Sequence, residues 1–465
     1  MKNIECSYPT GPAPSAHELE PFLQRLCGAH EAFVAADQQD LGSLEEQLQR
    51  DMSELLRLRL QKAAQAKADL VPPHCPKCGR QLSKRVAAEV TVQTRYGPIH
   101  VRRTRGWCSQ CRAWHCPADQ VLNIETGRSP YVQEAAALLA TKMPVGEASA
   151  VLQRLTGMKM PRATLDRAAR QSGEKARRHR REKDAQACVG KGVKKLSALE
   201  REGTLIIEID AWNIRERDGF GQTEALRKKG APPERWHWVW TATVFLLRDR
   251  GRTHGQRPII LERGFAATRL GCEELKAQIH AEALRRGLGQ VKRVVVIADG
   301  ALWIWNLSQD RFGEAAQRLD YYHAVQHLWT VAEALHGAGT PAAKAWMKPL
   351  CQQLKKSQSA KVIENLEELL PTLPTEKAPA VQKEISYLKN NQGRMDYASA
   401  KRRGEPLGSG AVESTCRQYQ CRFKRPGQFW TQAGDEALLC LDTFWRNGRW
   451  SELFPHAAHS DPSRN

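Results

Sequence analysis

The sequence predicts an α/β fold preceded by helical and cysteine-rich segments, and three observations carry that prediction. Between residues 204 and 330, apolar β-branched runs (TLIIEID at 204–210, WVWTATVFLL at 238–247, VVVIADG at 294–300) alternate with helical patterns. Residues 323–400 then read as helix throughout, with breaks at Pro371 and Pro374. Upstream, two Cys-x-x-Cys pairs flank a hairpin-like stretch.

The bulk numbers bound the function. A chain of 465 residues with 41% hydrophobic composition has room for two to four domains. Lys+Arg number 71 against 51 Asp+Glu, a net charge of +20. Such an excess points to a polyanion, with nucleic acid ahead of an acidic membrane surface. The longest apolar runs, such as 294–298, are strand length, so no membrane span is expected. The N-terminus lacks an apolar signal core, and the expected location is cytoplasmic. Thirteen cysteines then read as thiols or metal ligands, not as a disulfide framework.

Residues 1–14 are Pro-rich, and Ser15 with Glu18 makes a capping-box pattern. Ser43 with Glu46 makes a second, followed by an apolar stripe at Leu44, Leu48, Met52, Leu55 and Leu58. Two helices up to about residue 69 follow from this. Pro72-Pro73 ends the second. Cys75 and Cys78 come next, then a hairpin over 88–105 turning at Gly97-Pro98, then Cys108 and Cys111. Two thiolate pairs on either side of a hairpin make a zinc ribbon holding one structural Zn2+. Four cysteines close such a site, leaving no open position for catalysis. Lys84, Arg85, Arg95, Arg102, Arg103 and Arg105 on the ribbon are placed to meet DNA or to form a solvated face.

Residues 145–176 pair a short helix ending at Thr156-Gly157 with a basic helix after Pro161. Ala163, Leu165 and Ala168 are expected to face inward, and Arg162, Arg167 and Arg170 to face phosphate. This is a helix-turn-helix pattern, and equally that of an ordinary helical hairpin.

The carboxylates carry the chemistry. Asp210 and Asp299 each end a buried-strand pattern, where α/β sheets build their functional crevice. Two neighbouring carboxylates repel unless a cation lies between them. A third acid allows two Mg2+ (or Mn2+) ions to be clamped for in-line displacement at phosphorus. Glu413, after the glycine-rich turn GSG (408–410), is that third acid, with Arg417 one helical turn on. Glu208, Asp320 and Glu405 compete with it. Arg422, Lys424 and Arg425 form a basic helical tail placed to grip DNA phosphates together with Arg417, while Phe423, Phe429 and Trp430 pack it onto the core.

In order, EIDAWNIRER, IADGALWIWNL, LDYYHAVQHLW and GSGAVESTCRQYQCRFKRPGQFW resemble the DDE transposases with a ribonuclease-H-like core. The resemblance is to the ISKra4 family of insertion-sequence transposases and, more distantly, the Mutator group. It spans most of the chain, from CPKCG to the RW…LF tail. It implies an α/β ribonuclease-H-like core with Asp210, Asp299 and Glu413 as catalytic metal ligands and an all-helical insertion before Glu413. Mutator-type relatives carry a Cys and a His after the second acid. Here DYYH keeps only His323, which receives no catalytic role.

The domains expected are an N-terminal helical region (1–70), the zinc ribbon (71–127) and a helical DNA-binding region (128–200). The first part of the core (201–322), the helical insertion (323–400) and the C-terminal core with its basic tail (401–465) follow. The expected function is metal-dependent cleavage of double-stranded DNA at transposon ends, then strand transfer to target DNA, by a nucleoid-associated homo-oligomer. Two alternatives are a nuclease on the same core that does not join strands and a non-catalytic, zinc-dependent DNA-binding regulator.

Overall fold

The computed structural model describes residues 16–36, 40–217, 223–230 and 234–457. The Pro-rich start and Ser15 of the first capping box lie outside the described residues. The chain divides into two compact units, one reaching Ser172 and taking back residues 454–457, the other Gly173–Leu453.

In the first unit, α1 (Ala16–Ala35) packs on α2 (Leu41–Asp69), with Arg25 donating to Glu54 at 2.9 Å. The cap of α2 is Asp40, not Ser43. The Asp40 carboxylate accepts from the Ser43 amide at 2.8 Å, so the helix begins one turn earlier than its sequence pattern suggests. Leu44, Leu48 and Leu55 are half-buried, while Met52 and Leu58 are exposed. A three-stranded antiparallel sheet follows, β1 (Ser83–Thr94), β2 (Gly97–Cys108) and β3 (Ala113–His115). Thr94 pairs with Gly97, so the turn is Arg95-Tyr96 and not Gly97-Pro98. Val92, Ile99, Val101, Ala68 and Ala118 form a small core under the hairpin.

Helices α3 (Pro117–Val121), α4 (Pro130–Lys142), α5 (Val145–Thr156) and α6 (Arg162–Cys188) follow. Gly157 ends α5 and Pro161 precedes α6, as the pattern of a helical pair requires. Leu165, Ala168, Ala169 and Ser172 are buried at three- and four-residue steps. Ala163 falls off that stripe and is exposed, against the sequence expectation. Arg162, Arg167 and Arg170 are exposed, Arg170 being ion-paired with Asp166 one turn before it.

The second unit is α/β. After α7 (Ala198–Arg201) come β4 (Thr204–Arg217), α8 (Thr223–Lys228) and β5 (Glu234–Leu246). A two-stranded ribbon of β6 (Arg250–Arg252) and β7 (Pro258–Ile260) precedes β8 (Gly264–Thr268), α9 (Cys272–Arg285), β9 (Arg293–Ala298), α10 (Leu302–Arg311) and β10 (Ala316–Leu319). The main sheet has the order β10-β9-β4-β5-β8. β4, β5 and β8 are antiparallel neighbours, and β9 and β10 run parallel to β4. Leu205, Ile207 and Ile209 face one core cluster and Ile206 the other, so both faces are covered and continuous apolar runs are required.

Five helices intervene before the chain returns: α11 (Tyr321–His336), α12 (Pro341–Lys355), α13 (Ser359–Leu369), α14 (Ala378–Asn390) and α15 (Tyr397–Arg402). Leu328, Met347, Leu366 and Ile385 among their residues join the larger core cluster of the sheet. The chain closes with α16 (Gly410–Phe423), α17 (Gln432–Arg446) and α18 (Trp450–Leu453). Among the described residues no helix is long and apolar enough to cross a membrane.

A buried charge network ties α17 to the sheet. Glu436 accepts from the Arg269 amide at 2.7 Å and Thr268 Oγ1 at 3.0 Å, and Arg269 pairs with Glu216. Asp435 is fully buried beside Glu216, and burial followed by that neighbouring charge pushes its carboxyl up to about 9. Folded Asp435 therefore keeps a proton that the unfolded chain releases above its ordinary value of 3.8, so stability falls as pH rises from there towards 9. Asp435→Asn is expected to flatten that fall, by up to about 1.4 kcal/mol per pH unit. Parallel curves of thermal unfolding midpoint against pH for the two proteins would contradict it.

Candidate active site

The expectation that Asp210 closes its strand is corrected by the structure. β4 continues seven residues past it to Arg217, still paired with β5. What ends near Asp210 is the pairing with β9, whose last registered pair is Glu208 with Ile297. Extending that register by two residues brings Asp210 level with Asp299, which directly follows β9. β10 repeats the pattern: Leu319 pairs with Ala298, and Asp320 is the next residue. Alternation along the strands puts Asp210, Asp299 and Asp320 on the face of Ile206, Val295 and Ile297, the face that Ala411 of α16 also packs against. Three aspartates from three adjacent parallel strands thus meet at one edge of the sheet.

Two glycines make room there. A Cβ on Gly300 would meet the Tyr387 hydroxyl at 2.6 Å, and that hydroxyl donates to the Asp299 carbonyl. Gly300 also has φ +95°, so the DG turn needs glycine on both counts. A Cβ on Gly408 would meet Tyr322 at 2.7 Å and Asp320 Oδ2 at 3.0 Å.

Glu413 arrives on the first turn of α16, and two buried carboxylates pin that turn in place. Asp320 Oδ2 accepts from the Ser409 amide and from Ser409 Oγ at 2.6 Å. Its Oδ1 accepts from the Tyr322 amide at 2.6 Å and the His323 amide at 3.2 Å, capping α11. Glu208 Oε2 accepts from the Val412 amide at 2.9 Å. The positive end of the helix dipole makes its N-terminus a natural resting place for such acids.

Asp210 is half-buried, and that burial raises its pKa, with the Asp299 charge adding to the rise. His323 Nδ1 lies 3.8 Å from Asp320 Oδ1, an ion-pair distance rather than a hydrogen bond. Asp320, with Asp299 and Glu413 adding to it, holds the imidazole above its usual pKa. The tightest three-ligand set among the described residues at this edge is Asp320, His323 and Glu413, with ligand atoms within 4.8 Å of one another; Asp210 and Asp299 stand outside it. Sequence reasoning ranked Asp320 below Glu413 and gave His323 no role. The signal for Asp320 was present, since it follows an apolar strand as Asp299 does.

The remaining expected residues divide. Arg417 is exposed and lies 3.5 Å from Glu413, on the same helix face as expected. Lys424 is exposed and donates to Asn213 Oδ1 at 2.9 Å, and Arg425 is half-buried. Arg422 departs from its expected surface position: it is buried against Phe423 and Trp430. Glu405 is no rival for the site, because Arg293, Arg318 and Arg403 occupy its buried carboxylate.

In the first unit, Cys75 Sγ is 3.8 Å from Cys111 Sγ, and Cys78 Sγ 3.5 Å from Cys108 Sγ. All four thiols lie within 4.8 Å of one another. An ion about 2.3 Å from each of four tetrahedral sulfurs sets them roughly 3.8 Å apart, so the cluster fits zinc. Burial opposes ionisation of Cys75, but the amides of Cys78 and Lys77 and the neighbouring thiols lower its pKa to about 7.

No family model and no curated protein matches the chain. Among solved structures, the strand transfer complex of the Drosophila P element transposase is similar over 70% of this chain and 80% of that one, at 12% identity and a TM-score of 0.21.

Proposed function

We propose that the chain is a DNA transposase of the insertion-sequence type suggested by its ISKra4-like motifs, with a ribonuclease-H-like core. Asp210, Asp299 and Glu413 hold two divalent ions, Mg2+ or Mn2+, and Asp320 and His323 border Glu413. One observation carries this reading: acids from adjacent parallel strands gather at a single sheet edge, beneath a helix start pinned by one of them, Asp320, and by Glu208. Like charges crowded this way call for a cation, and all-oxygen donors suit a hard one. When bound, a pair of such ions activates a nucleophile and stabilises the leaving oxygen in displacement at phosphorus.

The protein's own groups place the DNA. Arg417, Lys424 and Arg425 meet phosphates near the site, while Arg422 braces Phe423 and Trp430. The zinc ribbon and the α5–α6 pair recognise the element's ends, and pairing two ends calls for a homo-oligomer. Nicking of end-bearing duplex that requires Mg2+ is the test. Absence of nicking by folded, zinc-loaded protein would favour the regulator instead.

Glu208 acts as a positioning residue in this scheme. Glu208→Ala is expected to slow cleavage by roughly 10–100-fold, as loss of a partner behind a metal ligand does. Glu208→Gln keeps the oxygen that accepts from Val412 and is expected to restore most of the rate, with DNA affinity unchanged in both. A folded Glu208→Ala protein that cuts at the wild-type rate would remove Glu208 from the scheme.

A further inference from the structure

Beyond Ala211 and Trp240, where β8 also stops pairing, β4 and β5 run on as a ribbon to Arg217 and Glu234, with one bridge from Glu216 to Trp430 on the β4 edge. Trp236 and Trp238 alternate on one face of this ribbon, opposite Arg215 and Asn213. They are 60% and 56% exposed, unusual for tryptophans on a strand. Cations are interleaved with the rings. Arg215 lies 5.9 Å from the Trp236 ring and 4.5 Å from Phe429, and Arg217 lies 3.9 Å from Phe429. Lys424 reaches round the ribbon edge, 5.7 Å from Trp236 and 5.9 Å from Trp212. Trp212, two residues past Asp210 and on its face of β4, is buried, whereas Trp236 and Trp238 lie with Asn213 and Arg215 on the opposite face, and Lys424 at the ribbon edge lies near both. Along β4, the residues opposite Trp238 and Trp236 stand three and five positions past Asp210, about 10 and 17 Å away.

We propose that the Trp236–Trp238 face seats unpaired DNA bases on the ribbon that carries β4 and β5 past the cleavage site. The inference rests on the DNA-cleaving reading above and deepens it by naming the form of DNA held there. Exposed rings flanked by Arg and Lys match a single strand, whose bases offer open π-faces and whose backbone is anionic. A fully paired duplex hides those faces inside its stack. The positive charge of the patch disfavours a second copy of this chain, itself at +20, as the occupant.

The test uses full-length protein in a buffer with Ca2+ in place of Mg2+. Binding is followed by fluorescence anisotropy on an end-labelled duplex and on the same sequence carrying four unpaired bases. Wild type is expected to prefer the unpaired substrate by roughly ten-fold or more, since each stacked base contributes about that much. The double variant Trp236→Ala/Trp238→Ala loses the preference but keeps duplex affinity and salt slope. Trp236→Phe/Trp238→Phe keeps both. Lys424→Ala lowers the log–log salt slope by about one. Wild type without the preference, or a double-alanine variant that retains it, overturns the proposal. So does a double-alanine variant whose only change is loss of a dimer in sedimentation, which would make the face a protein interface. Mg2+-dependent nicking is scored separately: no nicking with the preference intact sinks the catalytic reading alone, and nicking without the preference sinks this inference alone.

Discussion

Asp210→Asn, Asp299→Asn and Glu413→Gln are each expected to abolish Mg2+-dependent DNA cleavage while leaving DNA binding within a few-fold of wild type. Each replacement is nearly isosteric and removes one negative charge, so the sheet edge keeps its shape and loses its hold on a cation. The loss should exceed the roughly 100-fold typical of a partner behind a ligand, because the proposed scheme has these side chains touch the metal itself. Binding is expected to survive because the cations proposed to face phosphates lie on other residues, among them exposed Arg417 and Lys424. Asp320→Asn belongs in the same series. Asp320 caps α11 and holds Ser409, and it stands within the three-ligand set containing Glu413. If Asp320→Asn is inactive and Glu413→Gln is active, the third acid is Asp320. Gel assays of nicking and of binding, run on the same preparations, decide this.

The second large effect concerns the ribbon. Purified protein is expected to hold one zinc per chain on Cys75, Cys78, Cys108 and Cys111. Removing the metal, or changing Cys78→Ser, is expected to unfold the ribbon. Among the described residues, the apolar cluster around these thiols adds only Leu82 to Cys75, Cys108 and Cys111. Zinc contributes roughly 10–16 kcal/mol to the folding of comparable small sites. That matches or exceeds the net stability of a whole domain, about 5–15 kcal/mol. Four thiolates would leave no open coordination position, so in the proposed scheme chelation is expected to cost end recognition before it costs nicking. Elemental analysis without zinc, or an unchanged melting profile in Cys78→Ser, would contradict this.

The strands around the acids were legible because a sheet covered on both faces demands unbroken apolar runs, as in TLIIEID and VVVIADG. The DG step was legible because Gly300 needs both a positive φ and empty space beneath Tyr387. Asp210 was misread as a strand end because an acid after an apolar run resembles a stop. Beyond it Trp212, Ile214 and Glu216 alternate with less buried residues, the period of a continuing strand. Arg422 was misread through its charge, although Val412, Thr415, Cys416, Tyr419 and Phe423 mark the buried stripe it borders. The clamp on α16 was not legible at all. Glu208 and Asp320 reach Val412 and Ser409 only through the sheet, across separations of 204 and 89 residues that no local pattern encodes.

The most direct measurement is a strand-transfer assay with the full-length protein, Mg2+, a labelled duplex carrying the sequences that flank the gene, and a plasmid target. Labelled strands joined by their 3′ ends to the plasmid, lost in Asp299→Asn, are the predicted result. Cleaved ends that are never joined would make the protein a nuclease, and joined products that persist in Asp299→Asn would contradict the assignment of the site.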